Sequence, residues 1–394
     1  MLESQREGRK YKMLRFLDAG ESHGKCLLGI IEGLPAGFSL NEEKINLNLT
    51  RRQGGYGRGE RMKIEQDRVE ILSGLVDGKT IGSPLGIMIK NKDWENWQDK
   101  KYPSLTIPRP GHADFAGAIK YGFEDVRKVL ERASARQTAM RVAIGSTAQQ
   151  FLEKFNINTY SYVLRIGQVN AHSINSFNQK IKDEINKSPV YCLDGIATIG
   201  MCREIDRARE KGDTLGGVFE VVTTGVPIGL GSYVQWDKRL DARLASAFMS
   251  IPGVKAVEIG EGVGASEKKG SEVHDEIFAQ EEPAKNSSRY YRKTNRAGGI
   301  EGGVTNGEEV IIRAYIKPIP TLINSLRSID LATKKETKAI YQRSDICVVP
   351  AASVVGEAVA AWEIAVAFLE KFSGDSLVEI KENYKNYEEL LRKI

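Results

Sequence analysis

The chain has 394 residues, 41% hydrophobic and 28% charged, with a formal net charge of +5. That balance excludes a disordered chain and leaves length for two or three domains or one large one. The four cysteines, Cys26, Cys192, Cys202 and Cys347, form no C-x-x-C pair, so neither a zinc site nor a disulfide framework is indicated, and we read them as reduced core residues with no metal site.

The first ten residues are polar and charged, without the apolar run of a secretory signal, which points to the cytoplasm. A short apolar segment, Met13–Leu17, leads into Ala19–Gly24, where Gly20 and Gly24 permit a tight turn that carries Ser22 and His23. His23 is a candidate general acid or base with Ser22 as its relay; the alternative is a histidine that only caps backbone groups. Ser39-x-x-Glu42 has the form of a capping box and predicts a helix start, with Ile45 and Leu49 on one face and an end near Arg51 and Arg52. The loop Gly54–Gly59 follows a helix instead of a strand, so a dinucleotide fingerprint is rejected. Its glycines let backbone amides approach an anion beside Arg51, Arg52, Arg58 and Arg61, unless the loop is merely mobile and solvated.

Val69–Leu75 and Ile81–Ile89 read as strands separated by Asp77-Gly78, and Asn91–Pro110, with Trp94 and Trp97, is a polar loop long enough for a lid or an intersubunit arm. Pro108–Asp114 is a rigid turn presenting His112, with Arg109 three residues before it. Ser134–Gln137 reads as a second capping box, opening a helix with Ala139, Val142, Ala143, Phe151, Leu152 and Phe155 buried; Arg132 and Arg136 flank its start as a candidate anion site. Gly78–Gly82 is echoed by Gly212–Gly216, each leading into an apolar strand, which predicts two related halves. Asp237 is expected to cap a helix through Ile251, followed by a strand Val254–Ile259. After the irregular, glycine-rich stretch Gly260–Glu309 comes a strand, Val310–Ile316, ending at the corner Lys317–Thr321. Arg343-Ser344-Asp345 forms another polar corner. The apolar stretch Cys347–Phe372 is interrupted by Glu357 and Glu363, so it reads as a buried helix with Pro350 in its first turn and not as a membrane span; an amphipathic surface helix follows Asp375.

Together Gly20–Gly24, Arg52 with Gly54–Gly59, Arg109–Asp114, Arg132–Arg136, Ala297–Ile300 and Arg343–Asp345, in this order, resemble the chorismate synthase family. The resemblance runs from about Met13 onward, which makes residues 1–12 an N-terminal extension and 13–394 a single catalytic domain. It implies an α+β fold, a β/α/α/β sandwich with internal duplication, assembled as a homotetramer. The implied reaction is the 1,4-elimination of phosphate from 5-enolpyruvylshikimate 3-phosphate to give chorismate, with reduced FMN and no net redox change. Carried onto this chain, His23 resembles the acid for the departing phosphate, His112 the partner of the flavin N1 region, and Asp345 with Ser22 the relay at flavin N5. Flavin contacts carry over to Arg132, Ala133, Ser134, Pro252, Gly253, Gly302, Lys317, Pro318, Ile319, Pro320, Thr321 and Arg343, and an anionic substrate to Arg52 and Arg58. At Pro252-Gly253 other members often carry Asn-Ala, and at Gln137 many carry Glu. The family is also associated with NADP, which leaves open whether the chain reduces its own flavin.

A nucleic-acid-binding module using the Arg51–Arg61 segment is the alternative from another class, but only Tyr56 supplies an interleaved aromatic and no nucleic-acid-binding signature appears. An oxidoreductase with net hydride transfer is the alternative among enzymes.

Overall fold

One six-element plan is used twice in this chain. The computed structural model describes residues 14–59, 66–97, 102–174, 176–280, 289–341 and 345–394; the expected N-terminal extension lies outside them. In the first unit β1 (Arg15–Gly20) and β2 (Cys26–Glu32) pair, α1 (Glu42–Gln53) follows, then β3 (Val69–Ser73) and β4 (Leu85–Lys90). Two short helices, α2 (Asp114–Tyr121) and α3 (Arg127–Ala133), lead to the long α4 (Thr138–Leu152). The second unit opens with β5 (Asn158–Ile166), carries α5 (Gln179–Lys187) and α6 (Gly195–Glu210) as an insertion, and continues with β6 (Gly217–Thr224). It then repeats the plan with α7 (Leu240–Met249), β7 (Val254–Ile259), β8 (Val310–Ile316) and α8 (Val349–Lys371), and α9 (Leu377–Leu391) ends the chain.

The strand order is β1-β2-β4-β3 in one sheet and β5-β6-β8-β7 in the other, where Val169–Asn170 extends the β5 edge. All these neighbours are antiparallel. The helices fill the space between the sheets, so the expected β/α/α/β sandwich with internal duplication is present. The five-residue echo does not itself mark the duplication. Gly78–Gly82 precedes the fourth strand of its unit, whereas Gly212–Gly216 runs into the second strand of the other, so the two stretches are not equivalent.

Glycines set the depth of the sandwich. A Cβ on Gly29 of β2 would lie 2.6 Å from the Met140 sulfur in α4, one on Gly145 of α4 would lie 2.3 Å from the Ala358 carbonyl oxygen in α8, and one on Gly356 would lie 2.5 Å from the Phe219 ring in β6. Each is far inside van der Waals contact, so the four layers approach only because these side chains are missing. This also explains why α4 is buried almost all round instead of on one stripe. Helix α8 is long and apolar enough to cross a membrane by composition, but 94% of its apolar window is buried inside the protein.

Several local expectations shift. Asn41, not Ser39, caps α1, accepting from the Glu43 and Lys44 amides. Ser134 caps a three-residue 3-10 turn, Ala135–Gln137, and α4 begins only at Thr138. Asp237 falls in a separate short turn, Trp236–Lys238, and α7 starts without a side-chain cap. Asp77-Gly78, both at positive φ, closes the short hairpin Leu75–Val76/Lys79–Thr80, while β4 starts later, at Leu85. Cys192 and Cys347 are buried as expected, but Cys26 and Cys202 are half-buried; all four are free thiols.

Candidate active site

A cavity of about 960 Å³ opens where the two units meet, lined from the first by Ser22, His23, Trp97, His112 and Ser134 and from the second by Gly253, Lys317 and Asp345. The β1–β2 turn delivers Ser22 and His23. Gly20 is at φ 113°, and a Cβ there would lie 2.4 Å from the Cys26 carbonyl oxygen, so the hairpin can close only on glycine. Asn91 staples the turn by donating its side-chain amide to the Glu21 and Gly24 carbonyls at 3.1 and 2.7 Å. The His23 Nδ1 lies 2.8 Å from Glu131 Oε1, and the His23 backbone N–H donates to Glu131 Oε2 at 2.8 Å. Burial alone would raise the Glu131 carboxyl, but the hydrogen bonds from the His23 ring and amide outweigh it and hold the group below its usual range. Trp97 lies against the imidazole, ring centroids 3.9 Å apart. The Ser22 hydroxyl donates to Ser134 Oγ at 3.3 Å.

The Pro108–Asp114 turn builds the second histidine. Gly111 at φ 80° turns the chain, and Asp114, buried at the start of α2, accepts from His112 Nδ1 at 2.5 Å and from Arg109 Nε at 2.8 Å. Burial opposes the Asp114 charge, but the His112 and Arg109 hydrogen bonds hold its carboxyl far below the ordinary carboxylate range. Arg109 also donates to Thr321 Oγ1 at 3.2 Å, and Lys317 Nζ donates to the Gly111 carbonyl. The Lys317 amide donates to the Gly253 carbonyl at 2.9 Å, so the Pro252-Gly253 corner is fixed through backbone. Pro318, Ile319, Pro320 and Ala133 complete this wall.

Asp345 is the third polar group at the cavity. Its Oδ1 accepts the Gly59 amide at 2.7 Å and its Oδ2 pairs with Arg58 at 2.7 Å. The glycine loop therefore does approach an anion through a backbone amide, but the anion is the protein's own carboxylate.

Not every expected site residue lines the cavity. Arg52 is buried at the end of α1, donating to Thr138 Oγ1 at 2.9 Å and the Ala135 carbonyl at 2.8 Å, with Asp67 3.7 Å away. Arg58 faces Asp345 instead of open space. Arg51 pairs inside the core with Glu357 at 2.8 Å. Arg51, Arg52 and Arg58 thus turn inward to carboxylates distant in sequence and are not a row of free cations, while Arg61 lies outside the described residues. Arg132 pairs with Asp18 at 2.5 Å and Arg136 with Asp67 at 2.6 Å, so both guanidinium groups beside Ser134 hold protein carboxylates. Gly302 lies in the turn between Ile300–Glu301 and Val304–Thr305 and is not among the cavity walls. Arg343 lies outside the described residues.

Sequence reasoning missed Glu131 and assigned no role to Asp114. Asp114, two residues from His112 in the same motif, carried a local signal, but nothing local reveals that Glu131 meets His23, 108 residues away.

Comparison with known proteins gives the family. The chorismate synthase family model matches residues 14–369. The chorismate synthase of Alkaliphilus metalliredigens is 55% identical over 95% of this chain and 99% of its own length, and that of Geotalea daltonii 53% identical over 96% and 100%. A crystal structure of chorismate synthase superposes with a TM-score of 0.79 at 39% identity, covering 97% of this chain and 99% of the other. With agreement along nearly the whole length in both sequence and fold, the chain belongs to the chorismate synthase family.

Proposed function

We propose that this cavity carries out the reaction its family membership implies: 1,4-elimination of phosphate from 5-enolpyruvylshikimate 3-phosphate, giving chorismate over a reduced flavin mononucleotide. The observation that carries the reading is the convergence of two carboxylate-backed histidines and an ion-paired aspartate on one cavity with basic walls. Lys92, Arg109, Arg127 and Lys317 supply the positive charge, which suits phosphorylated ligands. At about 960 Å³ the volume is near the upper end for small-molecule sites and suits two ligands lying together. The residues fit a flavin: Gly111, Ala133, Gly253 and the prolines 318 and 320 offer low, flat walls, and His112, Lys317 and Thr321 offer polar contacts along an edge.

A 1,4-elimination across an allylic unit, which leaves a diene, needs a grip on phosphate, an acid for the leaving group and an acceptor for the departing ring proton. His23 gives its proton to the departing phosphate oxygen. Asp345, oriented by Arg58 and in relay with Ser22, receives the proton lost from the ring. His112, aimed by Asp114, holds its proton toward the flavin edge. Arg58 orders Asp345 and adds its charge to the substrate side, with Arg52 supporting the floor. Reduced flavin, when bound, supplies electron density to the ring as it becomes electron-poor. We place the enzyme in the cytoplasm, where free thiols persist, and propose a homotetramer, for which the exposed apolar outer face of the first sheet speaks.

Anaerobic turnover tests the reading. One equivalent of reduced FMN should support many turnovers with one phosphate released per chorismate, and oxidised FMN should support none. Stoichiometric flavin oxidation would make the protein an oxidoreductase, and turnover without flavin would remove the cofactor. NADPH offered without another reductant asks separately whether the chain reduces its own flavin.

A further inference from the structure

We infer that Glu131 is a positioning residue for the proposed acid: it fixes the tautomer of His23 so that Nε2 is the ring nitrogen that exchanges its proton with the departing phosphate. This rests on the elimination reading above, but the tautomer can be observed without it.

Glu131 grips the His23 turn at three points. Its backbone carbonyl accepts the Ser22 amide at 2.9 Å, its Oε2 accepts the His23 amide at 2.8 Å and its Oε1 lies 2.8 Å from His23 Nδ1. The polarity of this arrangement is fixed from the backbone outward. A main-chain N–H can only donate, and an ionised carboxylate can only accept, so Nδ1 must carry hydrogen whether the ring is neutral or charged. Glu131 is mostly buried and has Arg127 one helical turn before it in α3, so its charge is kept close to the imidazole. Trp97, 3.9 Å away by ring centroids and tilted by 36°, restricts rotation of the ring from its face. The contact at His112 differs. Asp114 there is shared with Arg109, and an Arg109 nitrogen lies 3.1 Å from His112 Nδ1, so that carboxylate does not act on its histidine alone.

The chemical consequence is directional. When His23 is doubly protonated, Nε2–H is transferred to the phosphate oxygen, the N–H bond breaks, the O–H bond forms, and the ring is left neutral with Nδ1–H still on Glu131. Water then returns a proton to Nε2. A ring whose neutral form kept hydrogen on Nε2 would leave the donor nitrogen occupied and would lose this cycle.

Glu131→Gln makes the idea testable at constant size. The His23 amide still needs an acceptor, which the glutamine oxygen supplies, and the glutamine NH₂ then faces Nδ1 and requires it to accept. The substitution should therefore invert the neutral tautomer from Nδ1–H to Nε2–H. Nitrogen chemical shifts of ¹⁵N-histidine-labelled full-length protein, recorded where the ring is neutral and assigned by loss of the signal in His23→Asn, should show that inversion. Glu131→Asp, which keeps an acceptor-only side chain, should retain Nδ1–H. With reduced FMN, Glu131→Gln should lower kcat on the order of 10²-fold, with KM and flavin affinity within roughly threefold of the parent. Glu131→Asp should recover part of the loss. An Nε2–H ring in the parent, an unchanged tautomer in Glu131→Gln, or unchanged kcat overturns the assignment. An inverted tautomer in a protein whose parent makes no chorismate overturns the reaction, and with it the acid role, while the tautomer assignment stands.

Discussion

Asp345 meets the cavity with its charge already answered, Oδ2 by Arg58 at 2.7 Å and Oδ1 by the Gly59 amide at 2.7 Å. Asp345→Asn removes the acceptor for a proton while keeping shape, so flavin should still bind and kcat should fall by about 10² to 10⁴ fold. Arg58→Ala leaves the carboxylate without its cation and should lower kcat as well as weaken substrate binding, whereas a simple substrate contact would alter KM alone. Steady-state kinetics on both variants separates these cases. Loss of flavin binding alone in Asp345→Asn would make that residue structural. At this scale His23 and His112 were legible because a histidine in a glycine- or proline-bounded turn is conspicuous, and Asp345 because it follows an arginine and a serine before a long apolar run. Their partners were less so. Glu131 is one of 52 acidic residues, and only the fold brings it to His23, whereas Asp114 stands two residues from His112 and was passed over within its own motif. The arginines misled for the same reason: chemistry names a guanidinium as an anion binder, but Arg51, Arg52 and Arg136 find protein carboxylates first.

Strands β7 and β8 match their expected limits, and α8 its expected burial, because their apolar runs end at glycine, proline or charged corners. Helix starts were less legible, since Asn41 competes with Ser39 only two residues away and the better-placed oxygen wins. The Glu357 that interrupts α8 marks a polar centre between elements. Its carboxylate receives Arg51 from α1 at 2.8 Å, Lys182 from α5 at 2.8 Å, Gln149 from α4 at 3.0 Å and Ser161 from β5 at 2.9 Å. Burial would raise this carboxyl, but Arg51 and Lys182 outweigh it and hold it below its ordinary value. A lowered value means that its stabilisation is complete above the unfolded carboxyl range, ~4.3, and is lost as pH falls toward the folded value. Glu357→Gln, which leaves two cations in place without their anion, should cost about 3 to 5 kcal/mol at neutral pH. Chemical denaturation at several pH values should show parent and variant converging as the solution is acidified below ~4.3. A constant difference down to low pH would count against the network as an ionised one.

On the scale of the whole molecule, duplication produces two sheets with the same strand order but different outer faces. On the second sheet Arg313 pairs with the buried Glu220 at 2.5 Å and Tyr315 bonds Glu258 at 2.7 Å, so that face carries a polar ladder. The outer face of the first carries Leu17, Leu28, Ile30 and Leu72, exposed by 72, 41, 52 and 53%. Leu17 and Ile30 are direct cross-strand partners. Their inward neighbours settle the direction: Phe16 packs edge-on to Trp362 and Gly29 meets Met140. An antiparallel sheet with one face in water normally alternates apolar inside with polar outside, and a contiguous apolar outer face marks a contact surface. Of this sheet only Val69–Leu75 and Ile81–Ile89 were legible as strands in the sequence, and β2, whose two faces are both apolar, was passed over, so the face that meets the helices was not legible. The proposed homotetramer would bury this face between copies. Ile30→Lys places a charge at its centre without touching the inner core, so far-ultraviolet circular dichroism should be unchanged while sedimentation equilibrium shows a smaller particle than the parent. A parent that sediments as a monomer would remove the assembly altogether, and a variant that stays fully assembled would move the contact to another surface.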